Sequence, residues 1–134
     1  MKNYKISIIT VTKNSEKFLS QNILSVKSQK YKNFEHIIVD GNSTDKTLDI
    51  IKTYKKSIKF IKNKNDKGLY HAMNVGIKNS SGDIIGILNS DDFYPNSFVL
   101  SNVVKTFKKY NCDAVYEEFY GCPYCDDRCD SCKE

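Results

Sequence analysis

Two adjacent carboxylates, Asp91 and Asp92, follow the apolar run Ile84-Ile85-Gly86-Ile87-Leu88, with only Asn89 and Ser90 between. At the end of a buried strand such a pair repels itself unless a cation compensates. A hard divalent ion suits it, because Mg²⁺ or Mn²⁺ takes one or two carboxylates and completes its shell with water and phosphate oxygens. The plainer use, capping the helix that follows, is equally open to Ser97. A further carboxylate, Asp40, closes the run His36-Ile37-Ile38-Val39 and precedes Gly41. It suits an Asx turn, or hydrogen bonds from a nucleobase edge or a ribose hydroxyl, and the two uses are compatible. Neither G-x-G-x-x-G nor G-x-x-x-x-G-K-[ST] follows the first apolar run, which disfavours dinucleotide cofactors and P-loop chemistry. What remains is a metal-assisted diphosphate site with a nucleoside pocket beside it.

The elements that must position these groups alternate regularly. Ile6–Val11 reads as a buried strand. Asn14 or Ser15 then caps a helix with Leu19, Ile23 and Val26 on one stripe. His36–Val39 forms a second strand, and Ser43 is placed to cap a helix carrying Leu48 and Ile51. A short strand at Ile58–Ile61 and a polar loop over 62–68, holding Asp66 and Lys67, lead to a helix with Leu69, Met73 and Ile77 inward. Ile84–Leu88 is a further strand. Pro95 and Ser97 open a helix with Leu100, Val103, Val104 and Phe107 on one face, and Ala114–Tyr116 reads as a last strand. This rhythm predicts an α/β fold, a mostly parallel sheet flanked by helices on both faces, whose ligands bind beyond the carboxyl ends of the strands. Thr10, Val11, Thr12, Asn14, Asp40 and the 89–92 segment all fall at that edge. His71 reads as a partly exposed helix residue, His36 as a surface or cap residue, Met73 as core, Tyr70 and Phe93 as packing, and Asn74 as helix polar face.

The formal charge of +5 is uneven. Residues 117–134 hold six acidic and two basic residues, while the body holds nineteen lysines and no arginine. Scattered lysines are point charges rather than the planar forks that read guanine, so nucleic acid is not an expected partner, and association with an anionic membrane surface is the lesser use of this charge. The N-terminal apolar run is too short for an export signal and no stretch reaches membrane-spanning length, so the expected location is cytoplasmic, at most peripheral at the inner face of a membrane. Cys112 stands alone. Cys122, Cys125, Cys129 and Cys132 form two C-x-x-C pairs that suit tetrahedral Zn²⁺ or an iron–sulfur cluster. Only Asp126-Asp127-Arg128 separates the pairs, where zinc ribbons place a longer loop, so adventitious binding or oxidation stays open. The domain division is 1–116 and an acidic, cysteine-rich tail over 117–134.

The segments ISIITVTKN, HIIVDGNSTDKT, DKGLYHAMNVGI and GDIIGILNSDDFY, in that order, resemble the N-terminal half of family-2 glycosyltransferases of the GT-A fold, most closely the branch that builds bacterial surface polysaccharides. The resemblance covers about residues 4–116. It implies a Rossmann-like, nucleotide-diphospho-sugar-binding half in which Thr10-Val11-Thr12 lines the nucleotide pocket, Asp40 contacts the nucleobase and Lys67 approaches the nucleotide-sugar. It further implies that Asp92 ligates Mg²⁺ or Mn²⁺, with Asp91 directed to ribose and metal. Where many members have Asp, this chain has Asn89 and Gly41.

The implied reaction is inverting transfer of a sugar from a nucleotide-diphosphate donor to a hydroxyl of a glycan or lipid-linked acceptor. The family's catalytic base lies downstream of the paired carboxylates. Glu117, Glu118 and Asp126 are the late carboxylates here and none stands in a matching context, so the base is assigned to no residue. The alternatives are a non-catalytic nucleotide-sugar-binding protein or partner subunit, and a zinc-binding interaction module built on the cysteine tail.

Overall fold

The computed structural model describes residues 2–65 and 67–116, so the cysteine tail, its Zn²⁺ reading and the late carboxylates lie outside the described residues. The chain runs β1 (Ile6–Thr12), α1 (Leu19–Lys27), β2 (Phe34–Asp40), α2 (Thr47–Thr53), β3 (Lys59–Lys62), α3 (Leu69–Lys78), β4 (Ile84–Ile87) and α4 (Val99–Tyr110). The four strands form one sheet in the order β3-β2-β1-β4, and every pairing is parallel. Parallel strands are joined by crossovers that cover both faces, so a central strand is buried on both sides. β1 is buried at six of its seven positions, and its three polar residues, Ser7, Thr10 and Thr12, each find a side-chain hydrogen-bond partner there.

Alternation along β1 and β2 divides the core. Ile6 and Ile8 face one side, where they pack with Val26 of α1 and with Leu100 and Val104 of α4. Ile38 joins Leu19 and Ile23 of α1 and Ile51 of α2. Ile9, Ile37 and Val39 face the other side and pack on Ala72 of α3. The stripes expected for α1, α2 and α4 therefore face the core, with Leu19, Ile23, Val26, Ile51, Leu100 and Val104 buried and Leu48, Val103 and Phe107 half-buried against them.

Four expectations are corrected. α3 turns Ala72 and Gly76 to the sheet, while Leu69 and Ile77 are exposed and Met73 is half-buried. Small residues bring the helix backbone close to β1 and β2, and that close approach outweighs the larger side chains. Ala114–Tyr116 forms no strand. No side chain caps α1, α2 or α4 at the residue preceding each helix, and α1 and α4 begin at Leu19 and Val99, later than Ser15 and Ser97 suggest. His36 is interior rather than at the surface. Among the described residues no helix is long and apolar enough to cross a membrane.

Gly76 shows how tightly α3 is seated. A Cβ there would stand 2.6 Å from Ile9 Cγ2 and 3.3 Å from Val39 Cγ2. Gly76→Ala is expected to lower the unfolding free energy by about 1–3 kcal/mol through overpacking, read as a lower urea midpoint at unchanged secondary structure. An unchanged midpoint would contradict this seating of α3.

Candidate functional site

The chain winds outward from β1 through β2 to β3, then returns to the far side of β1 with β4. Such a reversal opens a crevice beyond the carboxyl ends of the strands. The loops that rim it are 13–18, 41–46, 63–68 and 88–98.

Side chains hold these loops to one another. Thr12 and Asp40 are register partners at the last rung of the β1–β2 ladder, and Thr12 Oγ1 donates to Asp40 Oδ1 at 2.8 Å. Asp40 also accepts from the Ser43 amide at 2.9 Å and the Ser43 hydroxyl at 2.6 Å, and it is 0% exposed. The turn use of Asp40 is thus realised, closing onto Ser43. Ser43 is a hinge between loops rather than a helix cap: its Oγ accepts from the Asn14 amide at 2.9 Å. Asn14, at φ 50°, reaches across in turn, its Oδ1 accepting from the amides of Thr44 at 2.8 Å and Asp45 at 3.3 Å. The expected cap of α1 is instead a cap on the neighbouring loop.

Beyond β4, the Asp92 amide donates to the Asn89 carbonyl at 3.0 Å, closing a turn over Asn89–Asp92. The buried Asn22 of α1 donates from Nδ2 to the carbonyls of Asn89 at 2.9 Å and Asp92 at 3.0 Å. Ser15 Oγ donates to Ser90 Oγ at 3.0 Å, joining this turn to the loop after β1. Asp91 and Asp92 are exposed. Neither is in an ion pair with another described residue; the pairs seen there are Lys2–Asp83 and Lys5–Glu35. The donor set fits Mg²⁺ or Mn²⁺, which ask a protein for one or two oxygen ligands and draw the rest from water and phosphate. No group of three or more His, Cys, Asp or Glu side chains gathers among the described residues, so a closed all-protein metal cage is not what this edge offers.

The other residues marked from the sequence fall into place unevenly. Thr10 and Thr12 are fully buried on the α1 side of the sheet, so of Thr10-Val11-Thr12 only Val11 keeps an exposed part of its side chain. Lys67 is exposed in the loop before α3, next to Gly68, whose φ of 102° favours glycine. Tyr70 and Asn74 are exposed on α3, and His71 and Phe93 are half-buried.

Sequence reasoning missed Asn22 and Asn63. Asn63, 8% exposed, follows β3; its amide donates to the Asp40 carbonyl at 2.8 Å, and its Nδ2 has no acceptor among the described residues. For Asn22 the available signal was a polar residue inside the Leu19–Val26 stripe. A groove of about 970 Å³ runs along the outer edge of β4, from Asp92 and Tyr94 to Phe107 and Tyr116.

Residues 7–133 match the family model described as "Glycosyl transferase family 2". A Methanococcus voltae dolichyl N-acetyl-alpha-D-glucosaminyl phosphate 3-beta-D-2,3-diacetamido-2,3-dideoxy-beta-D-glucuronosyltransferase is 40% identical over 111 residues, covering 78% of this chain and 34% of its own length. An Escherichia coli UDP-Glc:alpha-D-GlcNAc-diphosphoundecaprenol beta-1,3-glucosyltransferase, WfaP, is 36% identical over 116 residues, covering 86% of this chain and 46% of its own. The crystal structure of S. aureus TarS 1-349 in complex with UDP-GlcNAc superposes with a TM-score of 0.74 at 29% identity, over 80% of this chain and 32% of that one. The chain thus spans less than half the length of these relatives.

His36 supplies a pH test of the interior beneath the site. It bonds Thr10 Oγ1 at 2.9 Å, its Nδ1 has no partner among the described residues, and burial pushes its pKa from the ordinary 6.5 down to about 3. Between those values only the unfolded chain takes up the proton, so stability is complete above pH 6.5 and falls as pH drops below it. The expected loss is about 1.4 kcal/mol per pH unit, measured by urea unfolding from pH 7 to pH 5. His36→Gln is expected to flatten that dependence, and an equally steep profile in the variant would assign it to other groups.

Proposed function

Because the chain belongs to glycosyl transferase family 2, we propose that its strand-end crevice binds a nucleotide-diphospho-sugar together with Mg²⁺ or Mn²⁺, for inverting transfer of the sugar to an acceptor hydroxyl. The observation that carries the reading is the exposed Asp91–Asp92 pair, without an ion-pair partner among the described residues, on a turn clamped beside the strand-order reversal. Asp92 serves as metal ligand and Asp91 faces both ribose and metal. A cation held there supplies positive charge against the leaving diphosphate.

The nucleoside lies against the loops after β1, β2 and β3. Val11 and the backbone of the Thr10–Thr12 segment line its pocket, and Lys67 places a positive charge near the diphosphate. Asp40 contributes by fixing the 41–43 loop through Ser43 and Thr12. An acceptor hydroxyl needs a carboxylate base, and none is assigned among residues up to Tyr116.

The named relatives act on a dolichyl-phosphate-linked and an undecaprenol-diphosphate-linked sugar. The likeness supports a lipid-linked or glycan acceptor in polysaccharide assembly, reached from the cytoplasmic face of a membrane. Donor binding without transfer is the competing reading.

Calorimetric titration with UDP is expected to show binding that strengthens with Mn²⁺ in the wild type and loses that metal dependence in Asp92→Ala. Metal-independent or absent binding of UDP and GDP would sink the donor-site reading. Hydrolysis of the donor sugar, assayed in parallel, separates transfer chemistry from binding alone.

A further inference from the structure

Asn22 is a polar side chain with no exposed surface, on the same helix as the buried Leu19, Ile23 and Val26. Both of its amide hydrogens go to one target: the carbonyls of Asn89 and Asp92, the two ends of the turn that carries Asp91 and Asp92. Its Oδ1 meets no donor among the described residues. A buried acceptor without a partner is a liability for folding, and an apolar residue of similar volume would remove it. The arrangement is better explained by what the two N–H groups fix. They set the separation of the Asn89 and Asp92 carbonyls, and so the turn geometry from which two mutually repelling carboxylates project. Gln29 offers the matched contrast. It is equally buried and follows α1, but its Nε2 donates to the Asn96 carbonyl and its Oε1 accepts from the Leu100 amide, so it holds the start of α4 instead.

We propose that Asn22 is a positioning residue for divalent-cation binding: its amide pre-forms the Asn89–Asp92 turn in the geometry that presents Asp91 and Asp92 to the metal. The proposal rests on the metal reading of that carboxylate pair. Residues that orient metal ligands without touching the metal typically change affinity by about 10–100-fold when lost.

The test is titration of the full chain with Mn²⁺ alone, read by the free-ion EPR signal, with thermal unfolding of each variant beside it. Asn22→Leu removes both donors at similar volume and is expected to weaken Mn²⁺ binding by about tenfold or more. Asn22→Ser, too short to reach both carbonyls, carries the same expectation where the leucine variant does not fold. Gln29→Leu is expected to lower the thermal midpoint yet keep Mn²⁺ affinity within about twofold. Wild-type affinity in a folded Asn22 variant, while Asp92→Ala loses the metal, overturns the role of Asn22 alone. An equal loss in Gln29→Leu also overturns it, by reducing Asn22 to general stability. Undiminished binding in Asp92→Ala overturns the metal reading and the proposal together.

Discussion

The buried carboxylate of Asp40 organises the open end of the sheet. A carboxylate without exposed surface must have its oxygens satisfied by the protein, and here Thr12 at the end of β1 and Ser43 in the loop after β2 do so. Once Ser43 is held, its hydroxyl takes the Asn14 amide, and Asn14 in turn takes the amides of Thr44 and Asp45. The loops after β1 and β2 are therefore one interlocked object. Breaking the Thr12 or Ser43 link strands an oxygen of a buried carboxylate, whereas the outer links through Asn14 lie at the exposed surface.

α1 does for β4 what Asp40 does for β2. Leu19, Ile23 and Val26 seat the helix on the sheet, while Asn22, Ser25 and Gln29 reach the segment after β4 at three successive points. Ser25 Oγ accepts from the Tyr94 amide at 3.1 Å, between the Asn22 and Gln29 contacts. The helix serves as a ruler laid along residues 89–100. Apolar packing fixes where it lies, and three polar side chains transfer that position to a stretch with no secondary structure of its own before Val99.

Much of this was legible in the amino-acid pattern. Alternation of β-branched runs with apolar stripes specified a parallel sheet with helices on both faces, because burial on both sides leaves strands no other composition. Asp91 and Asp92 stood out because adjacent carboxylates after an apolar strand have few inexpensive uses. What was not legible involved side chains acting across long sequence distances. Asn14 and Ser43 looked like caps of their own helices, since local sequence cannot show that their partners lie 29 to 31 residues away. His36 looked superficial because a histidine at a strand start usually is, and only the β1–β2 register places it under Thr10. In α3 the apolar pattern pointed to Leu69 and Ile77, yet the approach permitted by Ala72 and Gly76 outweighed it.

The clamps that hold the two loop systems differ in the length of chain they close, and this gives the two sides of the crevice different entropic costs. The Thr12–Asp40 bond spans 28 residues and belongs to a single β-α-β unit, whereas the Asn22–Asn89 bond spans 67 and waits on the return of the chain to the far side of β1. With closure entropy growing as the logarithm of loop length, the second carries about 0.8 kcal/mol more entropic cost than the first. The Asp40 side of the crevice is thus written into a local part of the fold, and the carboxylate turn into a closure that costs the chain more entropy.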